Sequence, residues 1–166
     1  MDFNRYKYSS MVVTDYNFTV PLDYHQKEGL KISIFAREIL NEKHEEKSLP
    51  YLIFFQGGPG YESPRPLTNS GWIQRANEDY KVLLIDQRGT GLSTPIDSNN
   101  MKNLSDQELA DYLTFFRADS IVRDAEHIKK HLIGENKWSV LGQSFGGFCA
   151  MHYVSFFPDS LEKVFI

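Results

Sequence analysis

The sequence predicts an α/β protein built on a doubly wound, mostly parallel sheet. Three observations carry that prediction. Tyr51–Phe55 and Lys81–Ile85 are nearly unbroken apolar runs, as expected of strands buried on both faces. Helical spacing intervenes before the next apolar run, with Ile121, Ala125, Ile128 and Leu132 recurring at i, i+4, i+7 and i+11. The central runs also end in glycine-rich turns, where an open parallel sheet presents bare backbone to ligands.

Taken in order, Met11–Val20 and Leu30–Ile39 alternate as strands do, with Ile32, Ile34 and Ala36 on one face of the second. Pro21 and the polar residues through Gly29 connect them. Asn41–Ser48 reads as a charged, solvated loop with His44 exposed. A short helix is expected over Gly71–Asp79. Ser105 and Glu108 form a capping box that opens a helix running towards Phe116. A second helix spans Asp119–Leu132 and stops at Gly134. Trp138–Leu141 is the next strand, a helix follows Gly147 until Phe157-Pro158, and Glu162–Ile166 begins one more strand. After two opening strands the order is thus β-α-β-α-α-β-α-β, the pattern of a sheet that is parallel beyond its first strands.

At 166 residues, 41% hydrophobic and 24% charged, the chain has the makings of one globular domain with a sizeable core. A net charge of −4 without a basic run argues against nucleic acid as a partner. The polar and aromatic start is not that of a signal peptide, and no apolar run approaches the roughly 20 residues of a membrane helix. One cysteine, Cys149, excludes an intrachain disulfide and fits a reducing compartment, so a cytoplasmic location is expected, with the thiol buried and inert. His127 and His131 are four apart, but no third ligand stands near. They read as surface histidines, and neither a metal nor an organic cofactor is expected.

The chemistry concentrates at Gly142-Gln143-Ser144-Phe145-Gly146. Gly-x-Ser-x-Gly between a strand and a helix is the pattern of a nucleophile elbow, which strains the serine backbone and holds its hydroxyl at the sheet edge. Glycines flank it because larger side chains would collide with neighbouring elements. The Phe145 N–H, at a helix N-terminus, is placed to stabilise an oxyanion. A plain glycine-rich turn with a solvated serine is the competing reading. Upstream, Gln56-Gly57-Gly58-Pro59-Gly60 ends a central strand and nominates the Gly58 N–H as a second oxyanion donor. A phosphate-cradling loop is disfavoured because the Gly-Lys-Ser/Thr ending is missing. Asp86 and Arg88, at the end of the next strand, read as a structural ion pair that shapes its loop.

Gly-Gly-Pro-Gly, Asp-Gln-Arg-Gly-Thr-Gly and Gly-Gln-Ser-Phe-Gly-Gly occur here in that order, each after a strand. With Phe54–Pro66 and Phe116–Glu126, they resemble the proline iminopeptidase (prolyl aminopeptidase) family of α/β-hydrolases over nearly the whole chain. Gln56 departs from the histidine that many members carry. The resemblance implies a serine peptidase acting on small peptides with an N-terminal proline: Ser144 as nucleophile, Gly58 and Phe145 as oxyanion donors, and a histidine and an acid that follow the nucleophile in the chain.

No such pair is legible between Phe145 and Ile166. His152 lies eight positions along the helix, about 12 Å of rise from the serine. Asp159 and Glu162 fall at the wrong end of the sheet. Residues 1–166 are therefore expected to be the amino-terminal portion of one α/β-hydrolase domain, truncated after about six strands, with the cap and last strands absent and with little activity of its own. An esterase or acyltransferase on the same scaffold, and a non-catalytic binding domain that keeps the elbow as a relic, are the alternatives.

Overall fold

The computed structural model describes residues 2–97 and 101–166. Among them seven strands form one sheet: β1 (Asp2–Tyr8), β2 (Met11–Pro21), β3 (Lys31–Asn41), β4 (Tyr51–Phe55), β5 (Lys81–Ile85), β6 (Trp138–Gly142) and β7 (Leu161–Phe165). Their spatial order is β1-β2-β3-β5-β4-β6-β7. The opening strands pair antiparallel, with β2 and β3 in register from Met11 opposite Asn41 to Pro21 opposite Lys31. β3 meets β5 antiparallel, and β5, β4, β6 and β7 then run parallel. The expected α/β architecture is present, with one strand more than the six anticipated. The addition is β1, every residue of which is exposed, so it carries no burial pattern that a sequence could betray.

Helices among the described residues include α1 (Gly71–Ala76), α2 (Asp106–Leu113), α3 (Ala118–Ile133) and α4 (Phe145–Phe156). The Ser105 capping box is formed, with Glu108 accepting from the Ser105 N–H at 2.8 Å. Central strands alternate their side chains between two apolar layers. Ile53, Phe55, Leu83, Ile85 and Val140 face α3 and α4, meeting Ile121, Ala125, Cys149 and Tyr153. Phe54, Val82 and Leu84 face the other way, towards Ile73 of α1. Burial on both sides is what the unbroken apolar runs required.

Two polar arrangements differ from expectation. His44 is buried, its Nδ1 2.8 Å from the carbonyl oxygen of Asn77, because a short 3₁₀ turn over Glu42–His44 folds it onto the end of α1. Asp86 and Arg88 are both architectural, but not as a pair. Arg88 is fully buried and forms a bidentate bridge to Asp124 of α3 (2.7 and 2.6 Å), while also donating to the carbonyls of Pro21, Leu22 and Phe115. Asp86 bonds Arg65 instead. The Tyr24 hydroxyl donates to Asp124 at 2.8 Å, so one carboxylate ties the β2–β3 connection, the loop after β5 and α3 together. Burial pushes the Asp124 carboxyl up, and the guanidinium and the tyrosine hydroxyl act against that shift.

Candidate active site

The site is built where β6 turns into α4. Ser144 is the N-cap of α4 and has φ 55° and ψ −119°, a left-handed backbone that a non-glycine residue adopts only under constraint. The constraint is visible in its neighbours. A Cβ on Gly142 would stand 2.6 Å from the carbonyl carbon of Gly146 and 2.7 Å from the Gly147 nitrogen. The Gln143 N–H bonds the Phe55 carbonyl at 3.3 Å, and the Gly146 and Gly147 N–H groups close back on Gln143 and Ser144, each at 2.8 Å. The turn is thus tied to β4 and to itself, and Ser144 is left exposed at the carboxyl end of the sheet.

Phe145 is the first residue of α4, so its N–H has no carbonyl within the helix to receive it. The Gly57 turn approaches from β4. A Cβ on Gly57 would lie 3.1 Å from the Ser144 Cβ and 2.9 Å from the Gln143 carbonyl oxygen, which is why glycine stands there. Gly58 follows at φ 128°, exposed, and is joined to Pro59 by a cis peptide bond. Two hollows share Phe145, the residue that follows the serine. One of about 460 Å³ is lined by Pro59, Phe116, Phe145, Phe148 and His152 among others. The other, about 310 Å³, shares Pro59, Phe116 and Phe145 and extends to Gln87, Thr90 and Ile96. A further hollow of about 440 Å³, between the β2–β3 connection and α3, shares no lining residue with these.

No described side chain hydrogen-bonds the Ser144 hydroxyl. The five histidines are engaged elsewhere. His152 sits between Phe148, tilted against it, and Phe156, edge-on to it, along α4, with ring centroids 4.6 and 5.7 Å away. His127 and His131 face each other on α3 at 4.3 Å, and His25 lies in the β2–β3 connection, its backbone N–H donating to the Asp23 carboxylate. His44 is held at Asn77. Among the described residues no group of three or more His, Cys, Asp or Glu side chains could hold a metal ion. Cys149, on the buried face of α4, has its thiol pushed up to about 12 by desolvation, so it does not ionise near neutrality. At the β5 terminus, sequence reasoning paired Asp86 with Arg88 and gave Gln87 no role; the reach of Asp86 and Gln87 into the segment after β4 was hinted at only by their position in the Asp-Gln-Arg-Gly-Thr-Gly motif.

The profile of the α/β hydrolase fold family matches residues 50–166, and the chain belongs to that family. Within it, the resemblance to the proline iminopeptidases is borne out. A proline iminopeptidase of Aeromonas sobria is 51% identical over 150 residues, covering 90% of this chain and 35% of that protein. One from Aspergillus aculeatus is 40% identical, covering 92% of this chain and 36% of its own length. The chain therefore spans about a third of the length of these curated relatives. A crystal structure of a proline iminopeptidase-related protein from Thermus thermophilus superposes with a TM-score of 0.56 at 19% identity, over 90% of this chain and 43% of that one, a likeness of fold. No helix among the described residues is long and apolar enough to cross a membrane.

Proposed function

We propose that residues 1–166 supply the nucleophile, the oxyanion donors and the central sheet of a serine peptidase that removes an N-terminal proline from small peptides. The observation that carries the reading is Ser144 itself: exposed, at φ 55°, at the start of α4 and against the Gly57 turn. Its Oγ attacks the carbonyl carbon of the substrate's proline. The N–H groups of Phe145 and Gly58 take the resulting oxyanion, and a histidine takes the serine proton and hands it to the leaving amine. The acyl-enzyme is then hydrolysed by water. The apolar walls from Pro59, Phe116 and Phe145 suit a small ring such as proline's, and the names of the two relatives support the same substrate.

No described histidine reaches Ser144, so the general base comes from outside these residues, and residues 1–166 alone turn over little. Buried Cys149 and the absence of other cysteines fit a cytoplasmic setting. The test is hydrolysis of a proline anilide by the full-length gene product, its Ser144→Ala variant and residues 1–166. The variant is expected to lose about 10³-fold or more in kcat. Turnover by Ser144→Ala near that of the wild type overturns the reading. Preference for simple esters over the anilide turns it towards an esterase.

A further inference from the structure

β4 lies between β5 and β6, so the turn that follows it is touched from both sides. On the β6 side stands the elbow, with Gln143 and Ser144 against Gly57. On the β5 side, two consecutive residues at the strand's end take hold of both ends of the turn. Gln87 donates from Nε2 to the Gln56 carbonyl at 3.2 Å, immediately before Gly57. Asp86 is fully buried and takes the far end: its Oδ1 accepts the Ser63 N–H at 3.0 Å, and its Oδ2 accepts from the Arg65 guanidinium and from the Leu92 N–H at 2.8 Å. Arg65 closes back on the Ser63 carbonyl at 2.8 Å, and the Ser63 hydroxyl donates to the Ile85 carbonyl at 2.5 Å. Gly91 makes this possible, since a Cβ there would stand 2.6 Å from the Asp86 Cγ.

A turn holding three glycines has broad conformational freedom. An oxyanion donor works only when its nitrogen sits about 2.7–3.1 Å from the developing charge, and a displacement of about 1 Å costs about 10²-fold in rate. We infer that Asp86 and Gln87 are positioning residues, which fix the Gly57–Gly58 turn at both ends so that its N–H faces the oxygen of a carbonyl attacked by Ser144. The oxyanion part of this inference rests on Ser144 being the nucleophile; the clamp does not.

Two measurements on the full-length protein separate these parts. In the first, Gln87→Ala and Asp86→Asn raise amide hydrogen exchange across residues 56–62 by about tenfold, while residues 138–142 keep wild-type rates. Unchanged exchange across 56–62 overturns the clamp whatever the activity. In the second, proline ester and its thiono counterpart are compared as substrates, because sulfur is a poor acceptor for oxyanion donors. A misplaced donor slows the oxygen ester by about 10²-fold, mostly in kcat, and lowers the oxygen-to-thiono rate ratio by about tenfold. Faster exchange with an unaltered ratio overturns the oxyanion role, since general destabilisation slows both substrates alike. If the wild type shows no turnover dependent on Ser144, the hydrolase reading and the oxyanion role fall together, and hydrogen exchange still decides the clamp. Gln87→Ala keeps both measurements decisive should Asp86→Asn fail to fold.

Discussion

Gly146 faces the carbonyl of Phe55 with no room for a methyl: a Cβ on it would stand 2.6 Å from the carbonyl carbon and closer still to the oxygen. Helix α4 therefore begins against the bare backbone of β4. Gly146→Ala is expected to destabilise the fold by about 1–3 kcal/mol or more, because the obstacle is main chain and cannot rotate away. Gly147→Ala is the control, since its Cβ would meet the Ile166 Cγ2 methyl at 3.0 Å and the Gly142 carbonyl oxygen only at 3.8 Å. Its effect should stay within about 1 kcal/mol, helped by alanine's helix propensity. Urea denaturation of both variants provides the check, and equal losses would refute the contact.

Arg88 and Asp124 form a buried bidentate pair. Replacing Arg88 with methionine leaves a carboxylate in the core and is expected to cost about 3–5 kcal/mol. Adding Asp124→Leu should restore part of that loss, since two apolar side chains of similar volume are tolerated where one lone charge is not. A double-mutant cycle by urea denaturation reads the coupling, and strictly additive losses would argue against it.

Tyr153 links α4 to β6 and α3. Its hydroxyl accepts from Trp138 Nε1 at 3.1 Å and donates to Glu126 at 2.9 Å, while burial and then the Glu126 charge hold the phenol well above its usual range. Tyr153→Phe leaves the indole N–H and a carboxylate oxygen without this partner, for an expected cost of about 1–3 kcal/mol. Fluorescence of the buried Trp138 should change in the folded variant. Wild-type stability and emission would contradict the assignment.

His127 predicts a pH effect. Burial first, then His131 and Lys130 on its own helix and Lys31 on β3, lower its pKa from the ordinary 6.5. The folded state thus binds the proton less well than the unfolded chain, so the stability in question is present above about pH 6.5 and is lost as pH falls through the depressed value. The melting temperature should fall between about pH 7 and pH 5, and fall less in His127→Gln. Parallel curves for the two proteins would exclude His127 as the source.

The central strands were legible because burial on both faces leaves only apolar residues, and Tyr51–Phe55 and Lys81–Ile85 have the predicted bounds. β1 escaped notice for the opposite reason, being exposed at every position. Pairings between distant segments were equally hidden. Nothing near Arg88 announces that its carboxylate stands 36 residues later in Asp124, nor that Asp86 answers to Arg65. The elbow was readable because Gly-x-Ser-x-Gly is a compact pattern and the contacts that require Gly142 lie within five residues of it, although the contact that requires Gly146 comes from Phe55 on β4. The part played by Gln87 was not, because it acts on a carbonyl 31 residues away.

The serine's placement depends on main-chain pairing between β4 and β6 and on glycines, whereas the hollows beside it are walled by the side chains of Phe116, Phe145 and Phe148. These are separate layers of the molecule. With Ser144 as the nucleophile proposed above, Phe116 or Phe148 can be exchanged to reshape the walls without touching the backbone that aims the hydroxyl, whereas Gln87 lines the smaller hollow and also holds the Gln56 carbonyl. Only the phenylalanine wall can be retuned on its own.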